Sequence, residues 1–181
     1  MQALLHAETC RCDVADSAIV SKSLRAVMAA LERSLAAVDR AIAERIARSA
    51  HAENSRRLQT FCGVGPAIAE TLIADLPELG HLSGKKIAAL CGLAPHTRDS
   101  GKQRGHASTG HGRPGVRKVL FNGARSAIQH PVMKAFYRRL VDQNHRLGKV
   151  ALTAVMRKML VILNAMIRDG SDWKHAARPA A

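Results

Sequence analysis

Residues 58–69 read Leu58-Gln59-Thr60-Phe61-Cys62-Gly63-Val64-Gly65-Pro66-Ala67-Ile68-Ala69. Leu58 and Phe61 end one helix, and Gly63 and Gly65 bracket a very tight turn. Pro66 suits the first turn of the next helix, where its missing N–H costs nothing. Ala69 is small where two helices must approach closely. The stretch predicts helix, turn, helix, and helical periods recur on both sides of it.

The spacing resembles a helix-hairpin-helix motif. Glycines let backbone approach a ligand, and N–H groups backed by a helix N-terminus point at an anion. A DNA phosphate fits, through a contact that carries no sequence information. Gly63 and Gly65 are therefore candidate DNA-binding residues. The other reading is a glycine turn that serves helix packing alone.

Downstream, Ser83 caps a short helix that Gly92 stops. Cys62 and Cys91 sit among apolar residues and read as buried thiols. Residues 93–115 hold five glycines, four Arg/Lys and three His with almost no apolar side chain, the composition of a functional or disordered loop. From Val116 the helical period returns. Val116, Val119, Leu120, Ala124, Ala127 and Ile128 form one face, and Lys118 with Arg125 forms a basic stripe on another. Pro131 breaks the pattern. A helix over about 132–143 follows, and after Gly148 a last one over about 149–168 carries Val155, Met159 and Leu163 as core.

Upstream, Leu24, Met28, Leu31, Leu35, Val38, Ile42 and Ile46 recur at steps of three and four, predicting one long helix over roughly 17–50. Asp16 and Ser17 offer N-cap oxygens. The seam suits a dimerising or spacing arm, or equally a helix lying on the globular part. Residues 1–16 show no clear period. His6, Cys10 and Cys12 lack the second cluster that a zinc site needs, so no metal site is expected. No strand alternation appears, and the predicted class is all-α.

The chain has 181 residues and a net charge of +14. At 47% hydrophobic it is no disordered basic tail, and at 3% aromatic it is no platform for rows of stacked bases. Four cysteines make no disulfide scaffold. Met159–Ile167 is too short for the roughly 20 residues a bilayer span takes, and the N-terminus lacks signal-peptide character. A reducing cytoplasm is the simplest compartment. Residues 1–78 carry nine Lys/Arg against ten Asp/Glu, and residues 79–181 nineteen against four. Charge so one-sided favours a polyanion, since neutralising phosphates releases condensed counterions.

A series of motifs in fixed order carries a resemblance. Gly63-Val64-Gly65-Pro66, Leu76-Pro77-Glu78-Leu79-Gly80 and Ile87-Ala88-Ala89-Leu90 come first. Arg98-Asp99-Ser100-Gly101-Lys102, Val116-Arg117-Lys118-Val119-Leu120 and Ala135-Phe136-Tyr137-Arg138-Arg139-Leu140 follow. Lys149-Val150-Ala151-Leu152, Met156-Arg157-Lys158-Met159-Leu160 and the run Ile162–Gly170 close it. From about 57 to 173 the chain resembles the C-terminal domain of a bacterial insertion-sequence transposase family, number one-ten in that nomenclature. Its members pair an N-terminal RuvC-like carboxylate domain with a C-terminal serine domain.

The resemblance implies a DNA recombinase guided by a structured RNA, with Ser100 as the nucleophile that forms a phosphoserine link to DNA. A serine hydroxyl needs a base or metal to take its proton and cations to hold the phosphoryl oxygens. Arg98, Lys102 and Arg104 supply charge nearby, and Arg113, Arg117, Lys118 and Arg125 complete the expected DNA-binding set. The family's Mg²⁺ belongs to its carboxylate domain, so no cofactor is expected on this chain, which alone would bind nucleic acid without completing strand transfer. The expected layout is a helical arm over 1–56, the transposase domain over 57–170 and a frayed tail over 171–181. DNA, a guide RNA and further copies of the chain through the arm are the expected partners. The alternative function is a non-catalytic helix-hairpin-helix nucleic-acid-binding module.

Overall fold

A computed structural model describes residues 2–14, 17–96 and 108–174. Those residues form an all-α protein. Its helices are α1 (Gln2–Asp13), α2 (Ala18–Ala47), α3 (Ala52–Gln59), α4 (Pro66–Asp75), α5 (Gly84–Leu90), α6 (Pro114–Ala127), α7 (Pro131–Arg138) and α8 (Gly148–Asp169). A π-helical turn, Arg139–Gln143, continues α7. The chain divides into two units, Met1–Ser49 and Ala50–Ala181.

In the first unit α1 packs on α2. Leu5, Glu8, Thr9 and Cys12 of α1 and Leu24, Met28, Leu31 and Leu35 of α2 are half-buried, and no residue of either helix is fully buried. At 1.5 Å per residue α1 is about 18 Å long and α2 about 45 Å, so much of α2 has no neighbour within this unit. Val38 and Ile42, on its expected seam, are exposed. Ser17 is the N-cap of α2 by backbone conformation but makes no side-chain cap bond. Asp16 lies outside the described residues.

The second unit is built around α8, against which α3, α5, α6 and α7 all pack. Val155, Met159, Leu160 and Leu163 of α8 are fully buried with Leu58, Phe61, Leu72, Ile87 and Leu120. α8 is long and apolar enough to cross a membrane by length and composition, more than the run Met159–Ile167 suggested. Its apolar side chains are instead the middle of this core. Ser83 caps α5, accepting a bond from the Lys86 N–H, and Gly92 follows with φ +68°. Asn164 is the buried polar residue of α8: its Oδ1 accepts from Gly80 N–H and its Nδ2 donates to Leu82 C=O, each at 2.8 Å. That pair fixes the α4–α5 connection.

The chain beyond α8 folds back onto α3. Arg56 reaches Asp172 through both terminal nitrogens, at 3.1 and 3.2 Å, and Trp173 meets Phe61 edge-on at 4.5 Å between centroids. Of the expected tail, residues 171–174 are described and 175–181 are not.

Candidate nucleic-acid interface

Segment 97–107 contains Arg98, Ser100, Lys102 and Arg104 and lies outside the described residues. The residues flanking it, His96 and Ser108, are described, and they meet. His96 and Ser108 form an isolated antiparallel bridge, with N–H···O bonds of 2.9 and 3.0 Å in the two directions. Behind it the strands of chain pass backbone to backbone. A side chain at Gly92 would collide with the carbonyls of His111 and Gly110, and one at Gly112 with the carbonyl of Leu90. Both glycines have positive φ, which glycine adopts without strain.

Two arginines fasten this base. Arg113 forks onto Glu78 at 2.6 and 2.7 Å and donates also to Asp75 C=O at 2.6 Å. The hydrogen bonds from Arg113 hold the Glu78 carboxyl below its usual pKa. Arg117 donates to the carbonyls of His111 and Cys91. Arg113 thus sits in an ion pair, while the charge of Arg117 rests on neutral carbonyls. Neither the Glu78 partner nor the His96–Ser108 bridge was foreseen from sequence, because both join residues far apart in the chain.

α6 starts from this base. Pro114 occupies its first turn, and Val116, Leu120, Gly123, Ala124 and Ala127 are its buried face. Lys118, Asn122, Arg125, Ser126 and Gln129 are exposed, as the expected stripe requires. Asn122, Arg125, Ser126, Ile128 and Gln129 line a shallow groove of about 560 Å³. Among the described residues neither Lys118 nor Arg125 forms an ion pair.

The hairpin glycines differ from one another. Gly63, at φ +85°, backs onto α6, where an added Cβ would collide with Gly123 C=O and come within 2.7 Å of Ala127 N. Its missing side chain serves helix packing. Gly65, the N-cap of α4, has open space around it.

Burial pushes the Cys91 thiol up to about 11, so it stays protonated near neutrality. Among the described residues no three His, Cys, Asp or Glu side chains gather as a metal ion requires. A separate cavity of about 450 Å³ lies between α3, the α4–α5 connection and the end of α8, with His51, Asn54, His81 and Arg168 among apolar walls.

Known proteins share this stretch. Residues 55–138 match the Transposase IS116/IS110/IS902 family. The matched stretch contains the turn at Gly63 and Gly65, the residues flanking 97–107, α6 and α7. Two relatives come from insertion elements. The uncharacterized 42 kDa protein of IS900 from Mycobacterium paratuberculosis is 29% identical over 167 residues, 90% of this chain and 41% of that protein. The uncharacterized 44.8 kDa protein of IS116 from Streptomyces clavuligerus is 28% identical over 115 residues, 62% of this chain and 29% of that one. The chain spans well under half the length of either relative.

Proposed function

We propose that the second unit is the DNA-engaging serine domain of an insertion-sequence transposase. The observation that carries this reading is the closed base at His96 and Ser108 inside the matched stretch, beside a helix whose exposed Lys118 and Arg125 form no ion pair among the described residues. Segment 97–107, with Ser100 in it, begins and ends at that base.

In this reading the Ser100 hydroxyl attacks a DNA phosphodiester. The Oγ–P bond forms, one P–O ester bond breaks, the proton leaves Oγ to a base, and the freed strand oxygen takes a proton from water and departs as an alcohol. Arg98, Lys102 and Arg104 hold the phosphoryl oxygens, whose charge grows in the transition state. Arg117, Lys118 and Arg125 hold neighbouring phosphates, while Arg113 keeps the base of the segment in register through Glu78. The hairpin offers Gly65 to the backbone, with Gly63 locking the turn against α6. A carboxylate domain carrying Mg²⁺ and a guide RNA are the partners the resemblance implies, and both belong to this proposal.

The test is a covalent adduct. With a family carboxylate domain supplied in trans, DNA is expected to become attached to this chain, and Ser100→Ala to abolish attachment while sparing binding. Salt-dependent binding without any adduct from the unaltered chain would leave the non-catalytic binding module as the function. The uncovered seam of α2 supports self-association through the arm. Val38→Glu with Ile42→Glu is expected to reduce the mass measured by light scattering, and an unchanged mass removes the arm from assembly.

A further inference from the structure

Phe136 lies near the end of α7, half-buried at the edge of the core. Two cations rest against its ring. Lys158 Nζ, from α8, is 4.2 Å from the centroid, and the Arg139 guanidinium carbon is 5.3 Å from it. The two charges can therefore be no further apart than those distances combined. Neither has an acidic partner among the described ion pairs. Asp142, three residues beyond Arg139, is the single acid between residues 131 and 158, where seven Lys and Arg occur.

Like charges held this close repel, and the ring's quadrupole offsets only part of that. A bound anion offsets the rest. The ring already faces cations, so it is no platform for an unstacked base. The arrangement suits a regular backbone, which a duplex presents, and the transposase match of residues 55–138 favours DNA as its source.

We propose that Arg139 and Lys158 form a phosphate clamp for duplex DNA, with Phe136 as the positioning residue that holds both cations. The clamp rests on the DNA-engaging reading above and adds a second backbone contact, made by the π-helical turn after α7 and by α8, to that of α6.

The full chain is titrated against a labelled DNA duplex of mixed sequence over a range of salt, with an RNA duplex in parallel. Arg139→Ala with Lys158→Ala is expected to weaken DNA binding roughly tenfold and to flatten the log–log salt slope by about 2, near 0.9 per phosphate contact. Lys85→Ala with Lys86→Ala removes equal charge from α5 and is expected to do less. Phe136→Leu keeps both charges, and a loss of about threefold is expected from misplaced cations. Phe136→Tyr retains the ring face and is expected to bind as the unaltered protein does. Thermal melting of each variant separates lost binding from lost folding.

Equal losses from the two double variants, unchanged binding in folded Phe136→Leu, or a loss confined to RNA would each overturn the clamp. If the unaltered chain bound no duplex, the DNA-engaging reading would fall. Titration with inorganic pyrophosphate, followed through the Arg139 and Lys158 side-chain NMR signals, then decides the clamp alone. Shifts at both residues sustain it, and shifts at neither reject it.

Discussion

α2 and α8 carry similar apolar periods and very different surroundings. α2 runs 30 residues and buries none of them, while α8 runs 22 and buries nine. α8 has α3, α5, α6 and α7 packed on it, and α2 has α1. Periodicity in sequence marks a face able to be buried. Only neighbours bury it, and hydrophobic stabilisation follows the area removed from water. The second unit therefore derives its stability from a core, and the first from helix propensity and one half-covered seam.

That contrast breaks most readily at Leu160. Leu160→Ala empties a fully buried position in α8, and a loss of about 3 kcal/mol in urea unfolding is expected. A loss under about 1 kcal/mol would mean that α8 is not the centre of the core. Asn164→Ala comes next. It strands Gly80 N–H and Leu82 C=O, and about 2 kcal/mol should disappear from the same transition. Leu31→Ala, in the half-covered seam of α2, is expected to shift it by less than about 1 kcal/mol. An effect as large as that of Leu160→Ala would erase the distinction between the units.

The smallest effect is local. Glu78 has its pKa lowered by Arg113, so what that pair contributes is present above the usual glutamate range and is lost as pH falls through the depressed value. Acidification below that range, or Glu78→Gln at neutral pH, is expected to speed hydrogen exchange at the His96 and Ser108 amides severalfold and leave the core amides alone. Uniform acceleration across α8 would show that the clasp supports the whole unit.

Much of this was legible in the residues. The step pattern from Leu24 to Ile46 located α2, the serine at 83 and glycine at 92 bounded α5, and Pro66 opens α4 as expected, while α6 and α7 begin at Pro114 and Pro131, one or two residues before the expected Val116 and 132. α1 was not legible. Its residues, QALLHAETCRCD, have no apolar face, and its half-buried stripe becomes visible only beside α2. The π-helical turn at Arg139–Gln143 was hidden inside what reads as one continuous helix. The candidate site divides in the same way. The exposed stripe of Lys118 and Arg125 follows from helical spacing alone. The roles of Gly63 and Arg113 depend on Gly123 and Glu78, 60 and 35 residues away, and spacing cannot announce such partners. The nucleophile expected at Ser100 falls outside the described residues.

Because His96 and Ser108 leave the scaffold side by side, any chain joined at those two residues must return to within a hydrogen bond of where it left. Grafting experiments on the helical unit thus have a natural cut point on either side.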